Sequence, residues 1–300
     1  MRYRVAISVF SILIVVLLAN ILPAPNLSAA GTITNPNGYQ DLPFKYTPSV
    51  QSPTGEKPQS KLWYNDGRWW ADLFNTSDGK YHIYWLDLGQ ASSTWQKWID
   101  TGIVLDPRPQ TKADCLWDGT HLYVVSGGGS DPSGSGTTAP LPAWIYRFSY
   151  NAAAKTYTQD FEPVTIRNGG AETIVLEKDT TGMLWITYTQ GNKVYVNHSR
   201  TTDADWNPNA AIQLQVPNTN TNVSPDDIST LVAVDGKIAV FWSNESAGQF
   251  SGSSDSAFYY ALHIDGAPDT SWAGRVALRQ PNIADDHINL KSLQADADGN

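Results

Sequence analysis

The amino-acid sequence predicts an all-β protein, a β-propeller built of four-stranded blades. The first observation behind this is a pattern that returns five times: a strand-like run ends in an acidic turn with glycine, and a second apolar run follows. Its copies are KLWYNDGRWWADLF from Lys61, DCLWDGTHLYVVS from Asp114, ETIVLEKDTTGMLWITY from Glu172, DISTLVAVDGKIAVFWS from Asp227 and HINLKSLQADADGN from His287. The second is spacing. The turn glycines Gly67, Gly119, Gly182, Gly236 and Gly299 stand 52, 63, 54 and 63 residues apart, a period at which one supersecondary unit repeats radially or in a stack. The third is composition: few segments show helical periodicity, and the 23 Gly and 18 Pro fall mostly between apolar runs, as many short strands require.

Taken from the amino terminus, residues 1–30 read as a signal peptide. Arg2 and Arg4 precede an almost wholly apolar run from Val5 to Leu22, and Ser28-Ala29-Ala30 supplies the small residues of a cleavage site before Gly31. Eighteen apolar residues also approach the length of an uncleaved anchor. Pro23, Pro25 and the small-residue site favour cleavage, and either outcome places the rest of the chain outside the cytoplasm, without membrane insertion once the peptide is removed. Residues 31–59, rich in Pro, Asn, Thr, Ser and Gly, read as an extended leader.

Blades then follow over residues 60–300 with no linker between them. In the first, Lys61–Asn65 and Arg68–Phe74 form a hairpin through Asp66-Gly67, a dipeptide that accepts the positive φ of a tight turn. His82–Leu88 is its third strand and Gln96–Val104 its fourth. Third strands align across blades as HIYWLDL from His82, WIYRFSY from Trp144, VYVNHSR from Val194 and FYYALHI from Phe258, each close to alternation. A short polar loop leads from each toward an aromatic residue, Trp95, Tyr157, Trp206 or Trp272, whose flat ring suits packing between neighbouring blades. The fifth unit reaches only its first turn by Asn300. The expectation is therefore about four complete blades plus the start of a fifth, in a propeller that continues past these residues.

Charge narrows the partners. Without residues 1–30 the chain keeps 18 Lys and Arg against 29 Asp and Glu, a net charge of −11, which argues against nucleic acid or anionic lipid. Cys115 is the single cysteine, so no intramolecular disulfide forms, and its apolar neighbours make it a buried strand residue rather than a nucleophile. Stability then has to come from a core, for which 12 Trp, 14 Tyr and 8 Phe are available.

In a propeller the first strand of every blade lines the central channel, and strand starts open on one face together with the loops after second strands. In that register the starts are Lys61, Asp114, Glu172, Asp227 and the group Asp285-Asp286-His287. The expected ligand-binding set is thus Lys61, Asp114, Glu172, Asp227, Asp286 and His287, rimmed by the Gly/Ser-rich loops 127–142 and 244–256. Three readings of this acidic mouth stand side by side. It holds calcium, whose hard charge requires oxygen donors; it uses Asp114, Glu172 or Asp227 as the acid–base pair of glycosidic cleavage; or the carboxylates merely end strands in water. His82, His121, His198, His263 and His287 are dispersed without metal-ligand spacing, and no nucleophile elbow, P-loop or dinucleotide fingerprint occurs.

Between third and fourth strands the chain carries DLGQASSTW from Asp87, SRTTDADW from Ser199 and DGAPDTSW from Asp265. These are similar to the Asp-box, S/T-x-D-x-G-x-x-W, and keep its tryptophan with some of its turn residues. On them the region from Lys61 onward resembles the sialidase-like, BNR-type secreted propellers. The resemblance implies their fold. It does not extend to sialidase activity: the Arg-Ile-Pro motif is missing, Arg108, Arg147 and Arg200 are tied to no common pocket, and a mouth of aspartates would repel an anionic sugar. The expectation is a secreted propeller that binds a glycan, a peptide or another cell-surface component through its acidic mouth, the alternative being a glycoside hydrolase that uses the same carboxylates.

Overall fold

A computed structural model describes residues 59–87, 97–128, 141–245, 255–284 and 288. Every regular element among them is a β-strand. Blade 1 comprises β1 (Leu62–Asn65), β2 (Arg68–Asn75), β3 (Lys80–Asp87) and β4 (Lys97–Asp106). Blade 2 comprises β5 (Lys112–Trp117), β6 (His121–Gly128), β7 (Leu141–Asn151) and β8 (Thr156–Gln159), with β9 (Val164–Arg167) pairing a second stretch of β7. Blade 3 has β10 (Val175–Lys178), β11 (Leu184–Gln190), β12 (Lys193–His198) and the short β13 (Ile212–Gln213). Blade 4 has β14 (Ser229–Ala233), β15 (Lys237–Asn244), β16 (Asp255–Ile264) and β17 (Ala273–Pro281). Each is an antiparallel meander in chain order.

The first strands form the inner row. β1 packs beside β5, β5 beside β10, and β10 beside β14. The fold is a β-propeller of about four blades, as the repeats predict. The fifth unit apart from Ile288, with Asp285, Asp286 and His287, lies outside the described residues, as do most of the two long rim loops.

Local chemistry explains the meander. At the β1–β2 and β14–β15 turns, Asp66-Gly67 have φ of 50° and 74° and Asp235-Gly236 have 47° and 67°. This is the left-handed pair that matches strand twist in a two-residue hairpin. In blade 3 the turn is held by a buried side chain. Asp179 Oδ1 accepts the backbone N–H of Thr181 and of Met183, both at 2.9 Å, while its Oδ2 accepts Trp185 Nε1–H at 3.0 Å. Turn acids also clasp the following blade: Tyr150 O–H donates to Asp66 at 2.6 Å, and Lys178 Nζ donates to Asp118 at 2.6 Å.

Apolar faces of the sheets pack against one another. Trp63, Trp70 and Ile83 of blade 1 share one cluster with Leu122, Val124 and Phe148 of blade 2, with Tyr157 inserted. Tyr123 and Ile145 meet Leu184, Ile186 and Trp206 between blades 2 and 3, and Trp185 and Val196 meet Val240, Trp242 and Tyr259 between blades 3 and 4, with Trp272 alongside. Two of the Asp-box-like segments make turns that fix their ring: Trp206 Nε1–H donates to the carbonyl of Asp203 at 2.8 Å, and Trp272 Nε1–H to that of Asp269 at 2.7 Å. The remaining segment and Trp95 fall mostly outside the described residues.

Candidate functional site

Three stretches of chain converge at the end where inner strands begin. They are the connector from β9 to β10, the turn between β11 and β12, and the connector from β13 to β14. Together they enclose a cleft of about 680 Å³, lined by residues 167–172, 189–192 and 224–225. Most of what these segments present is polar: Asn168, Glu172, Thr189, Gln190, Asn192 and Ser224. A second cavity of about 530 Å³, between the outer parts of blades 1 and 2, is lined by Val104, Leu105, Phe161 and two prolines and touches no inner strand.

Of the expected site residues that are described, Glu172 alone lies in this lining. Asp227 stands directly behind it. Its Oδ2 accepts the N–H of Ser224 at 2.6 Å and its Oδ1 that of Glu245 at 3.1 Å, and Ser224 Oγ–H donates to Glu245 Oε1 at 2.7 Å. Asp227 therefore shapes the wall that Ser224 forms. Burial pushes its carboxyl up, against the opposing effect of these hydrogen bonds.

Asp114 is elsewhere. It is fully buried in β5, where Oδ1 accepts the N–H of Ser60 and Oδ2 accepts that of Leu176 at 2.9 Å. The carboxylate thus bridges three inner segments. Lys61, only 8% exposed, turns toward Asp72 instead, with Nζ 3.6 Å from Oδ2. Asp286 and His287 lie outside the described residues. Among the described residues, no group of three or more His, Cys, Asp or Glu side chains is placed to hold a metal ion such as calcium.

Two kinds of residue escaped the sequence reading. Asp72 and Asp106 are wholly buried acids within or ending strands. Burial pushes the Asp72 carboxyl up to about 6; Lys61 opposes this and Asp106 reinforces it. Asp106 is amply satisfied, accepting Arg108 Nη2–H at 2.7 Å and Ser126 Oγ–H at 2.6 Å. The other is Arg167, at the end of β9 and in the cleft. Arg108, Arg147 and Arg200 each hold carboxylates of their own: Asp106, then Asp160 and Asp203, then Asp205. Arg167 holds none among the described residues. Its guanidinium rests 4.5 Å above the Tyr188 ring, and Nη1–H donates to the Gly169 carbonyl. The one sequence signal was a cation directly before Asn168-Gly169-Gly170, a loop able to bring backbone close.

Of the aspartates expected at the mouth, Asp114 is buried in β5 and Asp227 is engaged by backbone N–H groups, while Arg167 brings a cation to the cleft.

No protein-family model matches the chain, and no curated protein matches it in sequence. Solved structures do resemble it. Native Bacillus subtilis arabinanase Arb43A is 10% identical, with 74% of this chain and 81% of that one covered at a TM-score of 0.40. An endo-arabinase from Bacteroides thetaiotaomicron is 12% identical over 76% of this chain and 84% of that one, at a TM-score of 0.42. Penicillium chrysogenum α-L-arabinanase complexed with arabinobiose is 14% identical over 77% of this chain and 68% of that one, at a TM-score of 0.41. These three are arabinanases.

Proposed function

We propose that this is an exported, glycan-acting β-propeller, and that its saccharide lies in the cleft at the entrance to blades 3 and 4. The observation that carries this reading is the lining itself. Amide, hydroxyl and carboxylate groups of Asn168, Glu172, Thr189, Gln190 and Asn192 gather in about 680 Å³, a volume suited to a small ligand. Those groups both donate and accept, which is what several neighbouring sugar hydroxyls demand. Export rests on the charged and then apolar pattern of residues 1–30.

Hydrolysis of a glycosidic bond is the second reading, and the placement of Glu245 favours it. Cleavage requires one carboxyl group to protonate the leaving oxygen and another to assist water or attack carbon. Glu172 supplies one in the cleft. Glu245 supplies the other, tethered through Ser224 Oγ, with Asp227 acting as a positioning residue for both Ser224 and Glu245.

The test is binding and turnover on neutral arabino-, xylo- and galacto-oligosaccharides, arabinobiose included, and on uronate-containing ones, with wild type and Glu172→Gln. Glycosidic cleavage that falls roughly a hundredfold or more in the variant, with saccharide still bound, supports the hydrolytic reading. Binding without turnover, weakened by the substitution, supports a binding protein. Absence of binding to every saccharide, neutral or uronate-containing, or indifference to Glu172→Gln, overturns the assignment of this cleft.

A further inference from the structure

A buried cation normally sits beside a carboxylate, because removing charge from water is costly unless an opposite charge compensates. Arg167 departs from this. It is 4% exposed, lines the cleft, and has no carboxylate within ion-pair distance among the described residues. Nη1 is occupied by the Gly169 carbonyl, while Nε is buried and finds no acceptor.

Tyr188 cannot supply the missing charge. The phenol is buried 4.5 Å beneath the guanidinium, and its burial holds the hydroxyl in the neutral form at ordinary pH. Tyr195 stacks against Tyr188 with centroids 5.6 Å apart and planes at 12°, so the guanidinium lies on a rigid aromatic platform. Neither neighbouring glycine introduces a side chain between Arg167 and the cleft.

We infer that Arg167 is the subsite for a carboxylate on the bound saccharide, so that the ligand is an acidic glycan containing a uronic acid. This rests on the glycan-acting reading of the cleft and adds the charge of the sugar. A planar carboxylate suits guanidinium geometry, and a charge-assisted hydrogen bond is stronger than one to a neutral hydroxyl. Asn168, Thr189 and Gln190 then meet hydroxyls, which gives orientation, while Arg167 selects acidic over neutral sugars.

The experiment titrates the full chain against oligosaccharides in which each uronate-containing member is paired with its carboxyl-reduced, neutral form. The tightest ligand is expected to carry a carboxylate and to lose about tenfold or more in affinity on reduction. Arg167→Gln is expected to erase that difference. If reduction leaves wild-type affinity unchanged while saccharides still bind, the acidic-glycan inference falls and the cleft assignment stands. If no member binds, both fall. Should Arg167→Gln fail to fold, the paired ligands on unaltered protein still decide the question.

Discussion

Asp72 is an acid where the strand pattern calls for an apolar side chain. In the run WWADLF it sits between Ala71 and Leu73, and in the structure it is fully buried with Lys61 as its ion partner at 3.6 Å. Two charges have left water, and neither Asp72 oxygen makes a hydrogen bond among the described residues, so desolvation dominates. The carboxyl is accordingly pushed up from 3.8 to about 6. A carboxyl raised on folding binds its proton more tightly in the native state. Its contribution to stability is therefore complete below about pH 4 and is lost as pH rises through about 6. Urea unfolding of wild type and Asp72→Asn, followed from pH 4 to 7, should show wild type losing on the order of 3 kcal/mol relative to the variant. Parallel stability curves would mean that Asp72 does not titrate in this range.

At the scale of elements, the hairpin turns are the most local feature and the most legible. Gly236 has a φ of 67° and open space around a hypothetical Cβ, so replacing it by alanine tests backbone conformation alone. Gly236→Ala should lower unfolding stability by about 1 kcal/mol, measured by denaturant midpoint; no change would show that the turn relaxes to another type. Strand runs, turn dipeptides and plug aromatics were readable because each depends on a few adjacent residues. Side-chain direction on the inner strands was not. Lys61, Asp114, Glu172 and Asp227 stand 5, 4, 7 and 8 residues before the turn acids Asp66, Asp118, Asp179 and Asp235. They are therefore not equivalent positions, and in a strand a shift of one residue reverses the face. Asp114 falls inside β5 and points into the packing, while Glu172 precedes β10 and reaches the cleft. Arg167 stayed hidden for a different reason. Its significance lies in the absence of a counter-charge, and that depends on neighbours brought together by the whole sheet.

Across the molecule, one carboxylate joins three blades. Asp114 of β5 accepts an N–H from Ser60, just before β1, and another from Leu176 of β10 at 2.9 Å. The N–H of Cys115 donates to the Ser60 carbonyl at 2.9 Å, tying the same segment again. Blades in a propeller meet mainly through apolar faces, which slide more easily than hydrogen-bonded groups, so a buried acceptor shared by neighbours fixes their relative height. Asp114→Asn retains size but turns one acceptor into a donor that faces a backbone N–H. It should cost about 2–4 kcal/mol in unfolding free energy, with saccharide affinity of the folded fraction unaltered. The opposite pattern, full stability with lost binding, would return Asp114 to the ligand site that strand-start alignment suggested. Thermal unfolding and titration on one preparation separate these outcomes, because a residue that braces the inner row acts on folding before it acts on any ligand.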